Sequence, residues 1–284
     1  MKPDPATWLF DAGGYFHVCT PDPSCRYCTT DTGSGFDWSF LDRIYCISLR
    51  SREDRAATAA AELHRVGLCR RTLFYRPLKH PTWPLVGIWE SHRTVARHAL
   101  DSGCRTALIL EDDVIFTRRL RPRTVQKIAE GLRRLPSDWM LFFLGHMPWR
   151  AHFVRYNILR VCSTGAHAYI ASRRLLAWLR DRPFGTPGIE RLSFAGMGID
   201  AAYAKLRGAY ALFPMVVRQS TSASDNIKRP GKVMKITKPK HIFSRTRYRE
   251  VMIGYCMLPS QFLIALLSPV FLILHWLDRA KKGA

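Results

Sequence analysis

From residue 44 onward, apolar and polar positions fall into regular alternating blocks. Residues 44–49 (IYCISL) are an apolar run of strand length. Residues 53–66 are Ala-rich and stop at Gly67, the pattern of a helix with a glycine end signal. Residues 72–75 predict a second strand. Residues 85–100 place apolar side chains at 85, 88, 89, 95, 96 and 99, a helical stripe followed by Gly103. Residues 106–110 (TALIL) predict a third strand, 124–135 a helix ended by Pro136, and 139–144 a fourth strand. Strand and helix alternating in this way predict an α/β fold, a mostly parallel sheet flanked by helices. Beyond Gly145 the pattern loosens. Strands are expected at 166–171 and at 210–217, the latter interrupted by Pro214, and helices at 173–179 and 200–206.

The same pattern divides the chain into three regions. Residues 1–40 are rich in Gly, Pro, Asp and Thr and predict a loop or arm. Residues 41–225 carry the alternating elements. Residues 226–284 combine a basic linker with the most hydrophobic stretch of the chain. Within 226–250 there are nine Lys and Arg residues against Glu250, and 251–274 hold no Asp, Glu, Lys, Arg or His. That length could span a bilayer. Pro259 and Pro269 break it, however, and basic residues flank both ends. A re-entrant or surface-lying helix across 251–277, on the cytoplasmic face of a membrane, fits this better than a span, the alternative being a buried core helix. No apolar leader follows Met1, so the expected site of action is cytoplasmic.

Charge narrows the class of partner. The 284 residues carry 44 Lys+Arg against 22 Asp+Glu, a formal net charge of +22. Such a field attracts an anionic membrane surface, a phosphorylated substrate or nucleic acid. Nucleic acid is the weakest of these, because no recognition motif with interleaved aromatics accompanies the charge. The eight cysteines are mostly scattered singly among apolar residues and read as reduced core thiols. The exception is His17-x-Cys19-x5-Cys25-x2-Cys28, whose spacing could hold a structural zinc ion, or which is an arm with incidental cysteines.

Two clusters could do chemistry. Glu111-Asp112-Asp113 follows the third strand, and ligands of open α/β sheets sit beyond the carboxyl ends of strands. Three consecutive carboxylates repel unless a cation or solvent separates them, and hard oxygen donors suit Mn²⁺ or Mg²⁺ bridging to a diphosphate. The alternative is an acidic loop that caps a helix. Arg52 and Arg55 lie at the turn after the first strand, placed either to meet phosphates at a helix start or to form local ion pairs. Ser91 and His92 are adjacent on a helix and do not face each other, which excludes a hydrolase dyad.

Five elements in order resemble glycosyltransferase family 25, the group of lipo-oligosaccharide and collagen galactosyltransferases. The strand at 44–49 followed by Arg52, Asp54 and Arg55 is similar to an L-x-R-x-x-D-R turn. Gly87, Ser91 and His92 resemble G-C-x-x-S-H, with Ile88 where the family has Cys. Residues 108–114 (LILEDDV) resemble I-L-E-D-D-V, and 164–173 resemble T-x-A-Y-x-I-S-R with one extra residue. Gly198-Ile199-Asp200 resembles a later V-D element. The resemblance covers residues 42–225.

It implies a GT-A-like, Rossmann-type fold and a metal-assisted, inverting transfer of galactose or another hexose from a UDP-sugar. Glu111, Asp112 and Asp113 would take the metal and Arg52 and Arg55 the nucleotide. Ser91 and His92 would lie near the donor, and Asp200 would be the catalytic base, with Glu190 and His146 in reserve. The acceptor expected is a saccharide or glycolipid of lipopolysaccharide synthesis at an anionic membrane surface. The competing expectation is a non-catalytic sugar- or lipid-binding protein on the same fold.

Overall fold

The computed structural model describes residues 13–19, 35–81, 83–155, 157–184 and 198–220, with 266, 269, 270 and 273. Their order is β1 (Tyr15–Val18), β2 (Arg43–Ile47), α1 (Glu53–Arg65), β3 (Thr72–Arg76), α2 (Pro84–Asp101), β4 (Thr106–Glu111), β5 (Val114–Phe116), α3 (Pro122–Arg133), β6 (Leu141–Phe143), β7 (Met147–Arg155), β8 (Ile158–Thr164), β9 (Ala168–Ser172), α4 (Arg173–Arg180), α5 (Ile199–Ala204), β10 (Ala209–Leu212) and β11 (Val217–Gln219). Nine strands form one sheet in the order β1-β3-β2-β4-β9-β6-β10-β8-β7, and β11 pairs with β5 beside it.

Directions in the sheet follow from the pairings. β3, β2 and β4 are mutually parallel. β9 enters antiparallel between β4 and β6, and β10 runs parallel to β6. β8 and β7 extend one edge antiparallel, and β1 closes the other edge on β3. Strands β2, β3, β4, β6, β7 and β10 therefore run one way, and β1, β8 and β9 the other. The central sheet is largely parallel, in an arrangement compatible with a GT-A-like fold.

Side-chain alternation gives the sheet two buried faces. On one face Leu108 and Leu110 of β4 pack with Ala56, Ala59 and Leu63 of α1 and with Val125 and Ile128 of α3. On the other, Ala107 and Ile109 pack with Val86, Trp89, Val95 and Ala99 of α2, and with Leu175 and Leu179 of α4. Truncating Leu63, which is fully buried, is expected to cost about 2–5 kcal/mol. α1 ends as the sequence predicts: Gly67 has φ of 70°, and the Leu68 N–H donates to the Leu63 carbonyl at 2.9 Å.

Three elements differ from the pattern reading. Tyr15–Val18, inside the expected arm, is a strand paired with β3, and Trp38 is buried with its indole N–H on the Val66 carbonyl at 3.0 Å. The hairpin β7–β8 is a register-shifted pair that hydrophobic alternation does not mark. The strand expected at 210–217 is two strands, β10 and β11, in different sheets, parted around Pro214, which has no N–H for a ladder.

His17 stacks on Phe74 at 5.4 Å and Cys19 is buried, while Cys25 and Cys28 lie outside the described residues. So do the basic block 226–250, Glu190, and all of 251–277 except Leu266, Pro269, Val270 and Ile273. Among the described residues, no helix is long and apolar enough to cross a membrane.

Candidate active site

An open cleft lies at the carboxyl ends of β2, β3 and β4. Arg55, Ser91, His92, Glu111, Asp112 and Asp113 all line it, joined by Leu78, Lys79 and Gln219. Arg52 and Asp200 do not line it.

Strand geometry divides the acidic triplet. Glu111 ends β4 in the same phase as Ile109, so it belongs to the α2 side. Asp112, in the turn after β4, faces the α1 side. There the Arg55 guanidinium lies 2.6 Å from Asp112 Oδ1 and 3.2 Å from Asp113 Oδ2. Burial pushes Asp112 up to about 6, although Arg55 and the neighbouring Ser48 hydroxyl pull the other way. A buried carboxylate needs such a partner, since an unpaired buried charge is strongly unfavourable.

Asp113 is also tied from the far end of the chain. Its backbone carbonyl accepts from the Ser220 N–H at 2.7 Å, and its Oδ2 accepts from Gln219 Nε2 at 3.4 Å. Pattern reading did not single out Gln219, because its place in the site depends on the β11–β5 pairing, a contact remote in sequence.

Arg52 sits one turn back from Arg55. It chelates Asp54 with two bonds of 2.9 Å, and this holds Asp54 at about 2. Its charge still reaches Asp112. Arg52 therefore supports the helix start and the cleft's field from behind.

On the α2 side, the site is neutral and hydrogen-bonded. His92 is fully buried, which pushes its pKa down to about 4. Its Nδ1 lies 2.7 Å from the Tyr169 hydroxyl, which lies 2.7 Å from the Tyr203 hydroxyl. Its Nε2 lies 3.5 Å from Glu111 Oε1. Ser91 donates to the Gly87 carbonyl at 2.6 Å, and a Cβ at Gly87 would stand 3.0 Å from the Cβ of His80. The glycine thus lets the loop between β3 and α2 close over the helix.

Asp200 lies behind the cleft. Its Oδ1 accepts from the Gly165 and Ala166 N–H groups at 2.9 and 2.7 Å and so braces that turn. Burial pushes its pKa up, and the two amide bonds oppose the shift. His146 is fully buried, with Nε2 3.3 Å from the Leu212 carbonyl.

A bound divalent ion has a restricted donor set here. Among the described residues, no three His, Cys, Asp or Glu side chains converge as ligands. The pair Asp112 and Asp113, both on Arg55, fits a hard cation that keeps waters and takes its remaining oxygens from a substrate phosphate.

No protein-family model matches the chain, and no curated protein matches it. Solved structures similar to it include A197 from STIV, with 13% identity and a TM-score of 0.39 over 69% of this chain and 98% of that one. Another is a glycosyltransferase involved in the glycosylation of the major capsid of PBCV-1, with 9% identity and a TM-score of 0.34 over 61% of this chain and 93% of that one.

Proposed function

We propose that the cleft binds the diphosphate of a UDP-sugar and that the chain transfers the sugar, galactose or another hexose, to a saccharide acceptor with inversion. The observation that carries this reading is Arg55 beside Asp112 and Asp113 at the carboxyl end of β4. A guanidinium matches phosphate oxygens in a fork geometry, and this one is already largely desolvated and oriented by two carboxylates. Lys79 adds a second cation to the lining. Leu78 and Ile88 supply apolar surface for a base or sugar ring.

Asp112 and Asp113 are the residues that would hold Mn²⁺ or Mg²⁺. Such an ion, when bound, neutralises charge on the departing nucleoside diphosphate. Glu111, placed on the other side, is left to face the sugar. An inverting transfer also needs a group to take the acceptor's proton. Asp200 stays the proposed base, and Asp200→Asn, which keeps an acceptor for the Gly165 and Ala166 amides, separates that role from bracing.

The acceptor proposed is a lipopolysaccharide-type or other glycolipid at an anionic cytoplasmic membrane face. The net charge of +22 supports this, as do Leu266, Val270 and Ile273, which are helical and exposed at one-turn spacing.

The test is nucleotide release from a panel of nucleotide sugars with Mn²⁺, Mg²⁺ or EDTA, for the wild type and Asp113→Ala. The expected result is release from one UDP-sugar that needs the metal and is lost in the variant. Binding of UDP and Mn²⁺ without release from any donor, with or without glycolipid acceptors, would make the chain a binding protein instead.

A further inference from the structure

The α2 side of the cleft contains a chain of polar atoms whose protons can be placed by elimination. It runs from the Tyr203 hydroxyl to the Tyr169 hydroxyl at 2.7 Å, then to His92 Nδ1 at 2.7 Å, and on from Nε2 to Glu111 Oε1 at 3.5 Å. Tyr203 and Tyr169 are fully buried, and His92 is nearly so while lining the cleft. The residues come from three elements remote in sequence: α5, β9 and α2. The ring of His92 lies nearly parallel to that of Tyr169, with 20° between the planes, which fixes the imidazole's orientation.

A phenol has one proton to give, so the chain can run in two directions. If His92 carried its proton on Nδ1, the donation would pass to Tyr169 and then to Tyr203. The Tyr203 proton would then have no acceptor among the described residues. The bare Nε2 lone pair would also face a carboxylate oxygen. In the reverse direction Tyr203 donates to Tyr169, Tyr169 donates to Nδ1, and the ring proton sits on Nε2, turned toward Glu111. Both buried phenol protons then have an acceptor among the described residues, as buried polar groups require. The Asp200 carboxylate acts on the ring and both phenols from behind, but its Oδ1 is already engaged by the Gly165 and Ala166 amides.

We infer that Tyr203 and Tyr169 are positioning residues that lock His92 as the neutral Nε2–H tautomer, and that His92 holds Glu111 in the cleft as a hydrogen-bond acceptor for a ligand hydroxyl. Glu111 lines the cleft and is partly exposed at 29%. The kind of ligand, a hydroxylated one such as a sugar, rests on the proposed function. The placement of the proton does not.

The experiment is nitrogen NMR of the imidazole rings in the full chain labelled with ¹⁵N-histidine, with His92 assigned by the signal lost in His92→Gln. The expected wild-type signal is a single tautomer protonated at Nε2. Tyr203→Phe keeps it, because Tyr169 still donates. Tyr169→Phe replaces it with a mixture of both tautomers. A ring protonated at Nδ1 in the wild type, or an unchanged tautomer in Tyr169→Phe, overturns the inference. The wild-type signal alone decides if the variant fails to fold. Absence of nucleotide release would remove the glycosyl-transfer reading and leave the tautomer result standing.

Discussion

The two walls of the cleft hold their carboxylates by opposite means. On the α1 wall, charge meets charge: Arg55 lies between Asp112 and Asp113, and all three side chains are nearly buried. On the α2 wall Glu111 lies 3.5 Å from a buried imidazole backed by two phenols. Adjacent residues in one acidic triplet are divided between these walls where β4 ends and the turn after it begins. A charged wall can exchange its counter-ion for a ligand's phosphate or a metal. A wall of buried, hydrogen-bonded neutral side chains is stiff and sets direction rather than charge. Under the proposed function, diphosphate and cation fall to one side and sugar hydroxyls to the other.

The comparison can be broken most sharply at Arg55. Arg55→Met leaves two buried carboxylates without their cation, and we expect a loss of about 3–5 kcal/mol in denaturant unfolding. A loss below ~1 kcal/mol would mean the pairing contributes nothing.

Acid tests how far the neutral environment extends. His146 and His167, which follow β6 and precede β9, are buried, and burial holds them down to about 4 and about 3. In the unfolded chain these rings take protons near the ordinary value of about 6.5. Between that value and the folded ones, the unfolded state carries more protons. Stability is therefore full above pH ~6.5 and falls with pH through that window, by about 1.4 kcal/mol per pH unit for each ring. Melting temperature against pH for the wild type and for His167→Gln gives the slope, which should be smaller in the variant.

Asp200 provides the next test. Asp200→Ala orphans the Gly165 and Ala166 amides and is expected to cost about 1–3 kcal/mol, whereas Asp200→Asn should recover most of it. Equal losses would mean that the charge, not the acceptor, matters. Of similar size is Tyr169→Phe, about 1–3 kcal/mol, because it removes two neutral hydrogen bonds and leaves the buried Tyr203 proton without that acceptor, with the fold intact by circular dichroism.

Periodicity made the charged wall legible. β2, α1, β3, α2 and β4 each have a clean apolar rhythm, and the triplet falls at the end of a strand, where ligands of such sheets bind. The division of the triplet was not read from the sequence, which put all three carboxylates on one metal; β4 ends at Glu111, and the contact with Arg55 places Asp112. The neutral wall was not readable in the same way. Tyr169 and Tyr203 look like core aromatics in apolar runs, and only the packing of α5 on β9 brings their hydroxyls together. The reversal of β9 could not be read either, since an apolar run carries no direction. β1 was hidden because its strand is short, half-exposed and set in polar sequence.

The central claim is that the triplet is functionally divided. It is tested most directly by Mn²⁺ affinity in the presence of UDP, measured by electron paramagnetic resonance for the wild type, Asp113→Asn and Glu111→Gln. The account predicts that Asp113→Asn abolishes tight Mn²⁺ binding while Glu111→Gln stays within about threefold of the wild type, a difference of less than ~0.7 kcal/mol. Equal loss in both variants would place all three carboxylates on one ion and contradict the division.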